Sequence, residues 1–118
     1  MNYYKEALEQ SPYELLENLK NFLVEVPAQI NTIDEMNIAS NLLLRLASNY
    51  SYLCGLAAYA ELETRRLKRE GEKTEYEDAV DRKKVVSKFC DAVHQQYQAI
   101  SRAITVHTEN NNELKMSM

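Results

Sequence analysis

Glycine and proline are scarce in this chain, with two of each in 118 residues, and tryptophan is absent altogether. So few breakers imply long uninterrupted helices. Only two cysteines are present, which excludes a disulfide framework and fits reduced thiols. No apolar run reaches 18 residues, and the N-terminus lacks a basic lead, an apolar stretch and a small-residue cleavage site. A bilayer span and a secretory leader are therefore not expected, and a soluble, cytoplasmic protein is. An excess of positive charge is also missing. The net charge of −4 excludes a generally basic nucleic-acid coat. The length suits one domain and leaves no room for a cleft between two.

What is present is helical period. Ser11-Pro12-Tyr13-Glu14 places a capping Ser, a Pro suited to the first turn and a Glu that completes a capping box. Leu15, Leu16, Leu19, Phe22 and Leu23 form the apolar stripe that follows, and Val26-Pro27 ends it. Thr32-Ile33-Asp34-Glu35 opens a second segment, in which Met36, Ala39, Leu43, Leu46, Tyr50, Leu53, Ala57, Ala60, Thr64 and Leu67 recur at intervals of three and four. Gly55 costs about 1 kcal/mol in a helix interior relative to Ala, and among its Ala neighbours it signals a close approach by another helix. Gly71 marks the turn, and Thr74-Glu75-Tyr76-Glu77 reads as a third capping box. Ala79, Lys83, Val86, Cys90, Val93, Tyr97, Ile100 and Ile104 repeat the seam on the way back.

These patterns predict an all-α fold: a long antiparallel two-helix hairpin with a short N-terminal helix, assembled into an oligomer. Residues 1–107 form a single helical domain with helices at about 12–25, 33–70 and 75–107, and residues 108–118 form a flexible tail. The broad apolar face exceeds what one short helix covers, so a homo-oligomer is expected, with the N-terminal MNYYKEAL packed on a neighbouring subunit.

Nine of the fourteen Lys and Arg residues fall between Arg65 and Lys88, and eight Asp and Glu are interleaved with them over residues 61–88. Arg65, Arg66, Lys68 and Arg69 end one helix, and Arg82, Lys83, Lys84 and Lys88 begin the next, so the hairpin sets both groups near its tip. Such a patch can hold phosphates, as in single-stranded DNA. The same residues also form an ion-paired turn if carboxylates at helical spacing engage them, and basic residues suit a helix C-terminus in any case. Cys90 and His94 share a helix face with Cys54 at a similar level, but no further His or Cys completes a zinc set, so packed thiols are expected. Of the eight tyrosines, Tyr50 and Tyr97 belong to the seams and only Tyr3, Tyr4 and Tyr76 are expected to be exposed. No phosphate loop, nucleophile elbow or metalloprotease helix is present. Neither an enzyme activity nor a cofactor is expected.

The stretch YLCGLAAYAELETRRLK, a glycine-containing turn, TEYEDAVDRKKVV, and a last helix FCDAVHQQYQAISRAI ending in Ser101-Arg102 resemble small helical phage proteins of the recombination-mediator type. The resemblance covers about half of the chain. It implies an accessory protein of recombination or replication that binds single-stranded DNA or a recombinase, with Arg65, Arg66, Lys68 and Arg69 in the DNA-binding role. Beside it stands a second reading, a small acidic mobile-element inhibitor that occupies a host defence protein or nuclease. Neither reading involves a membrane.

Overall fold

The computed structural model describes residues 3–117, with side chains through Asn111. Four helices follow one another: α1 (Tyr3–Ala7), α2 (Pro12–Leu19), α3 (Ile33–Glu70) and α4 (Lys73–Ser117), with a single 3-10 turn at Lys20–Phe22 after α2. No strand occurs among the described residues, and α3 and α4 pack together as a long hairpin. At about 1.5 Å per residue, α3 is about 57 Å long, in keeping with a molecule extending 70 × 24 × 19 Å. No helix of the described residues is long and apolar enough to cross a membrane.

The seam is the spacing of seven made visible. Ala39, Leu46, Leu53, Ala60 and Leu67 of α3 are buried, and so are Ala79, Val86, Val93 and Ile100 of α4. One residue per heptad therefore points straight at the opposite helix. The alternate seam positions, Leu43 and Tyr50 on α3 and Cys90 and Tyr97 on α4, lie at the edge and stay partly exposed. The edge on the other side of the hairpin is closed by Leu56 and Phe89, both buried, with Leu15 and Leu19 of α2 in the same core.

Two of the three N-caps form as read. Ser11 Oγ accepts from Glu14 N at 3.2 Å, and Thr32 Oγ1 accepts from Glu35 N at 3.1 Å while donating to the Glu35 carboxylate at 3.1 Å. The third does not. α4 already starts at Lys73, with Tyr76 N bonded to the Glu72 carbonyl at 3.0 Å, so Thr74 lies within the first turn. Gly71 caps α3 through its N–H to the Leu67 carbonyl at 2.9 Å with extended backbone. Its small size is what matters, since a Cβ there would come within 2.7 Å of the Leu67 side chain.

The first long-helix partner is shorter than its sequence pattern. α2 stops at Leu19 and the chain turns extended at Leu23, because the hairpin captures its backbone. Val24 N donates to Gln96 Oε1 at 3.0 Å, Gln96 Nε2 donates back to the Val24 carbonyl at 2.8 Å, and Asn49 Nδ2 donates to the Phe22 carbonyl at 3.0 Å. Two side-chain amides thus do what helical bonds would have done. At the other end, α4 runs past Thr108 to Ser117, beyond the point where the apolar period ceases. Thr108 and Asn111 bond back to Ile104 and His107, four residues earlier, on the last described turns.

The N-terminal segment also differs from expectation. The sequence suggests a neighbouring subunit as the place for MNYYKEAL, whereas α1 lies on its own α3. Met1 and Asn2 fall outside the described residues. Tyr4 packs at 5.5 Å from the Tyr52 ring and 6.3 Å from the Tyr59 ring, and Phe22 stacks on Tyr52 at 5.3 Å. The reason is Gly55. A Cβ there would lie 2.6 Å from Tyr4 Cζ and closer still to the hydroxyl, so glycine is what lets the ring reach the helix backbone.

Candidate interaction surfaces

The hairpin tip takes its charges from the ends of α3 and α4. Arg65 is held by Glu61 at 2.8 Å, one turn back on the same helix. Arg66 reaches Glu63 at 3.0 Å and Glu70 at 4.0 Å, and its pKa is raised first by the hydrogen bond to Glu63 and then by its charge. Arg82, half-buried, donates to the Gln10 carbonyl at 3.4 Å and so ties α4 to the segment before α2. Lys68, Arg69, Lys84 and Lys88 are exposed, Lys83 is half-buried, and none of these five has an ion pair among the described residues.

The two basic sets are not side by side. Tyr50 faces His94 at 5.5 Å between ring centres, and Thr64 Oγ1 lies 3.4 Å from the Ala79 carbonyl, which fixes the antiparallel register. In that register Lys84 and Lys88 stand level with Ala60 and Leu56, well below Arg65 to Arg69. The offset is about two helical turns. A turn of only two residues after Glu70 starts α4 at once, and acidic residues, Glu75, Glu77, Asp78 and Asp81, occupy the positions opposite the α3 arginines.

The tyrosines are redistributed as well. Tyr3 is exposed, but Tyr4 and Tyr76 are partly buried, while Tyr13 is among the most exposed large side chains. Tyr50 and Tyr97, seam residues by spacing, are 39% and 38% exposed. Together with Ala47 and His94 they line a shallow depression of about 270 Å³. Below it the two thiols meet: Cys54 is exposed and Cys90 half-buried. Burial, then the neighbouring Cys54 and Asp91, pushes the Cys90 thiol up to about 11. The Tyr50 hydroxyl is also shifted up, first by its hydrogen bond with Cys54. No group of three or more His, Cys, Asp or Glu residues placed to hold a metal occurs among the described residues.

This depression belongs to a larger open side. Ile33, Ser40, Ala47, Cys54, Glu61 and Lys68 follow one another at intervals of seven along α3, as do Ser87, His94, Ser101 and Thr108 along α4. Among the described residues no other segment covers these lines, whereas α1, α2 and the segment 23–32 lie on the other side. Between Glu35 and Glu61 the only charged residue of α3 is Arg45. Yet Ser40, Leu44, Ala47, Tyr50, Cys54 and Ala58 of that stretch are all exposed. Sequence periodicity located the seam but not this face. The signal that could have found it is the run of 25 residues from Met36 to Ala60 with a single charge.

A second cavity, about 460 Å³, lies between the 23–32 segment and the end of α4, with Ile30, Arg102, His107 and Asn110 on its wall. His107 Nδ1 lies 3.0 Å from the Ile30 carbonyl and anchors that segment. No family model, curated protein or solved structure matches the chain.

Proposed function

We propose that the chain is a non-enzymatic accessory protein that works by docking a protein partner along the open face of its hairpin. The observation that carries this reading is that the exposed residues of α3 between Met36 and Ala60 include only one charged side chain, Arg45. A helix facing water ordinarily carries charged residues on that side. The core of a protein interface is instead depleted of charge and enriched in tyrosine, which describes the surroundings of Tyr50 and Tyr97. Cys54 tests the reading directly, because it is exposed in the isolated chain. In an extract of its native host, the docking reading expects Cys54 to be protected from alkylation and to become reactive on denaturation. Cys54 labelled in the native extract as fast as a free thiol would refute it.

A second reading assigns the tip to single-stranded DNA, as the resemblance to recombination mediators implies. Lys68, Arg69, Lys84 and Lys88, exposed and without carboxylate partners among the described residues, favour it. The pairing of Arg65 and Arg66 with glutamates and the stagger of the two sets reduce the patch from eight residues to about half that strength. Fluorescence anisotropy with a labelled oligonucleotide tests it. Binding should appear at low salt and weaken by about 0.7 log units of affinity per log unit of salt for each phosphate neutralised.

A further inference from the structure

We propose that the occupant of the open face is a second copy of this chain, packed antiparallel so that the tip of each hairpin lies at the base of the other. The inference rests on the docking reading above and names its partner. Size is the first argument. The uncharged part of the face runs from Ile33 to Ala57 on α3 and from Thr108 back to Ser87 on α4. At about 1.5 Å per residue and about 10 Å per helix width this is roughly 700 Å² on each copy, close to the ~800 Å² per partner of a standard stable interface.

Shape is the second argument. A two-fold contact requires one patch to be complementary to itself. Here Tyr50 and Tyr97 rise beside Ala47, with the depression of about 270 Å³ between them. Raised rings and a small-residue hollow on one patch can interlock with the same features of a copy. The Tyr50 hydroxyl is hydrogen-bonded with Cys54, and Cys90 and Asp91 lie near it.

Charge decides the direction. The lines that form the face acquire charges only toward the tip, at Glu61 and Lys68 on α3 and Lys83 on α4. A parallel pair would bring Lys68 to Lys68 and Lys83 to Lys83, and like charges set opposite each other are unfavourable. The antiparallel pair keeps the tips apart.

The test uses the purified full-length chain in sedimentation equilibrium. Wild type should have twice the mass of one chain. Ala47→Glu, at an exposed position in the centre of the face, should lose the dimer at concentrations where wild type is dimeric, with an unchanged helical circular dichroism signal. Ser48→Glu, exposed on the next position and turned away from the face, should remain dimeric and controls for added charge. Cys54 alkylation in wild type should slow as concentration rises. For the orientation, Glu72→Cys in a Cys54→Ser background should give no tip-to-tip disulfide under oxidation. A wild type that stays monomeric at high concentration overturns the inference, as does an Ala47→Glu variant that dimerises like wild type, and tip-to-tip crosslinks overturn the antiparallel order. If wild type is monomeric but Cys54 is masked in the native extract, the second copy is refuted and the docking reading stands. Cys54 free in both settings refutes both.

Discussion

The two sides of the hairpin are built from the same seam and finished in opposite ways. On one side Leu56 and Phe89 are buried, Tyr52 and Tyr59 take a tyrosine from α1, and Asn49 and Gln96 hold the backbone of the 22–24 segment. On the other, residues at the equivalent edge, Leu43, Tyr50, Cys90 and Tyr97, are left partly open. A heptad repeat fixes which residues meet between two helices but leaves both flanks undetermined. The chain settles one flank with its own N-terminal third. The other carries little charge away from the tip, which is what a surface needs if another protein is to cover it.

The comparison breaks most sharply under leucine truncation. Leu56 on the covered side is fully buried and Leu44 on the open side is 72% exposed. Leu56→Ala should cost about 2–5 kcal/mol through lost burial and a residual cavity. Leu44→Ala in dilute solution should fall within about 0.5 kcal/mol of wild type. Urea unfolding followed by circular dichroism measures both. Equal losses would mean that the two flanks are not distinguished by packing.

Gln96 sharpens the same contrast through hydrogen bonds. Its amide satisfies both the N–H and the carbonyl of Val24 in a partly buried setting. Gln96→Ala leaves those two backbone groups without their partner and should destabilise by about 1–3 kcal/mol. Hydrogen exchange should accelerate at Val24 before it does in the α3–α4 seam, because the segment detaches first.

Gly55→Ala has a smaller and divided effect. The new Cβ displaces the Tyr4 ring, and overpacking of this kind typically costs about 1–3 kcal/mol. Alanine returns about 1 kcal/mol of helix propensity. The net change in global stability should therefore be modest, while amide protection in α1 falls and the Tyr4 contact with Tyr52 is lost. Retention of α1 protection would show that the close approach at Gly55 is not what seats this helix.

Much of this was legible in the sequence. Three- and four-residue spacing marked both halves of the seam, and two of the three N-caps formed at the residues read, Ser11 and Thr32. What escaped were interactions that have no period. Asn49 and Gln96 are polar residues at the edge of an apolar stripe, and only a folded neighbour shows that each amide faces a carbonyl. Thr74 has the capping pattern, but the turn after Gly71 is so short that the helix begins one residue before it. Past Thr108 the apolar repeat ends while the helix continues, since i to i−4 bonding needs no core and no Gly or Pro interrupts it. The basic tip was legible as composition. Its pairing and its two-turn stagger were not, because both depend on the register between helices.

The smallest effect concerns Cys90, on the open flank, and it is a matter of pH. Burial, followed by Cys54 and Asp91, pushes its thiol from 9.0 up to about 11, so the folded chain holds the neutral form where the unfolded chain would already release the proton. A group of this sign contributes stability that is present in full below the unfolded pKa and is lost as pH rises through the folded one. Stability should accordingly decline between about pH 9 and pH 11, and Cys90→Ser should flatten that decline. The same shift keeps Cys90 slow toward alkylating reagents, which attack the thiolate. Mass spectrometry after iodoacetamide treatment at pH 8 in dilute solution should find the label on exposed Cys54 well before it appears on Cys90. If Cys90 reacts first, its side chain is not seated between the helices, and the flank at that level is more open than the contrast with Leu56 and Phe89 allows.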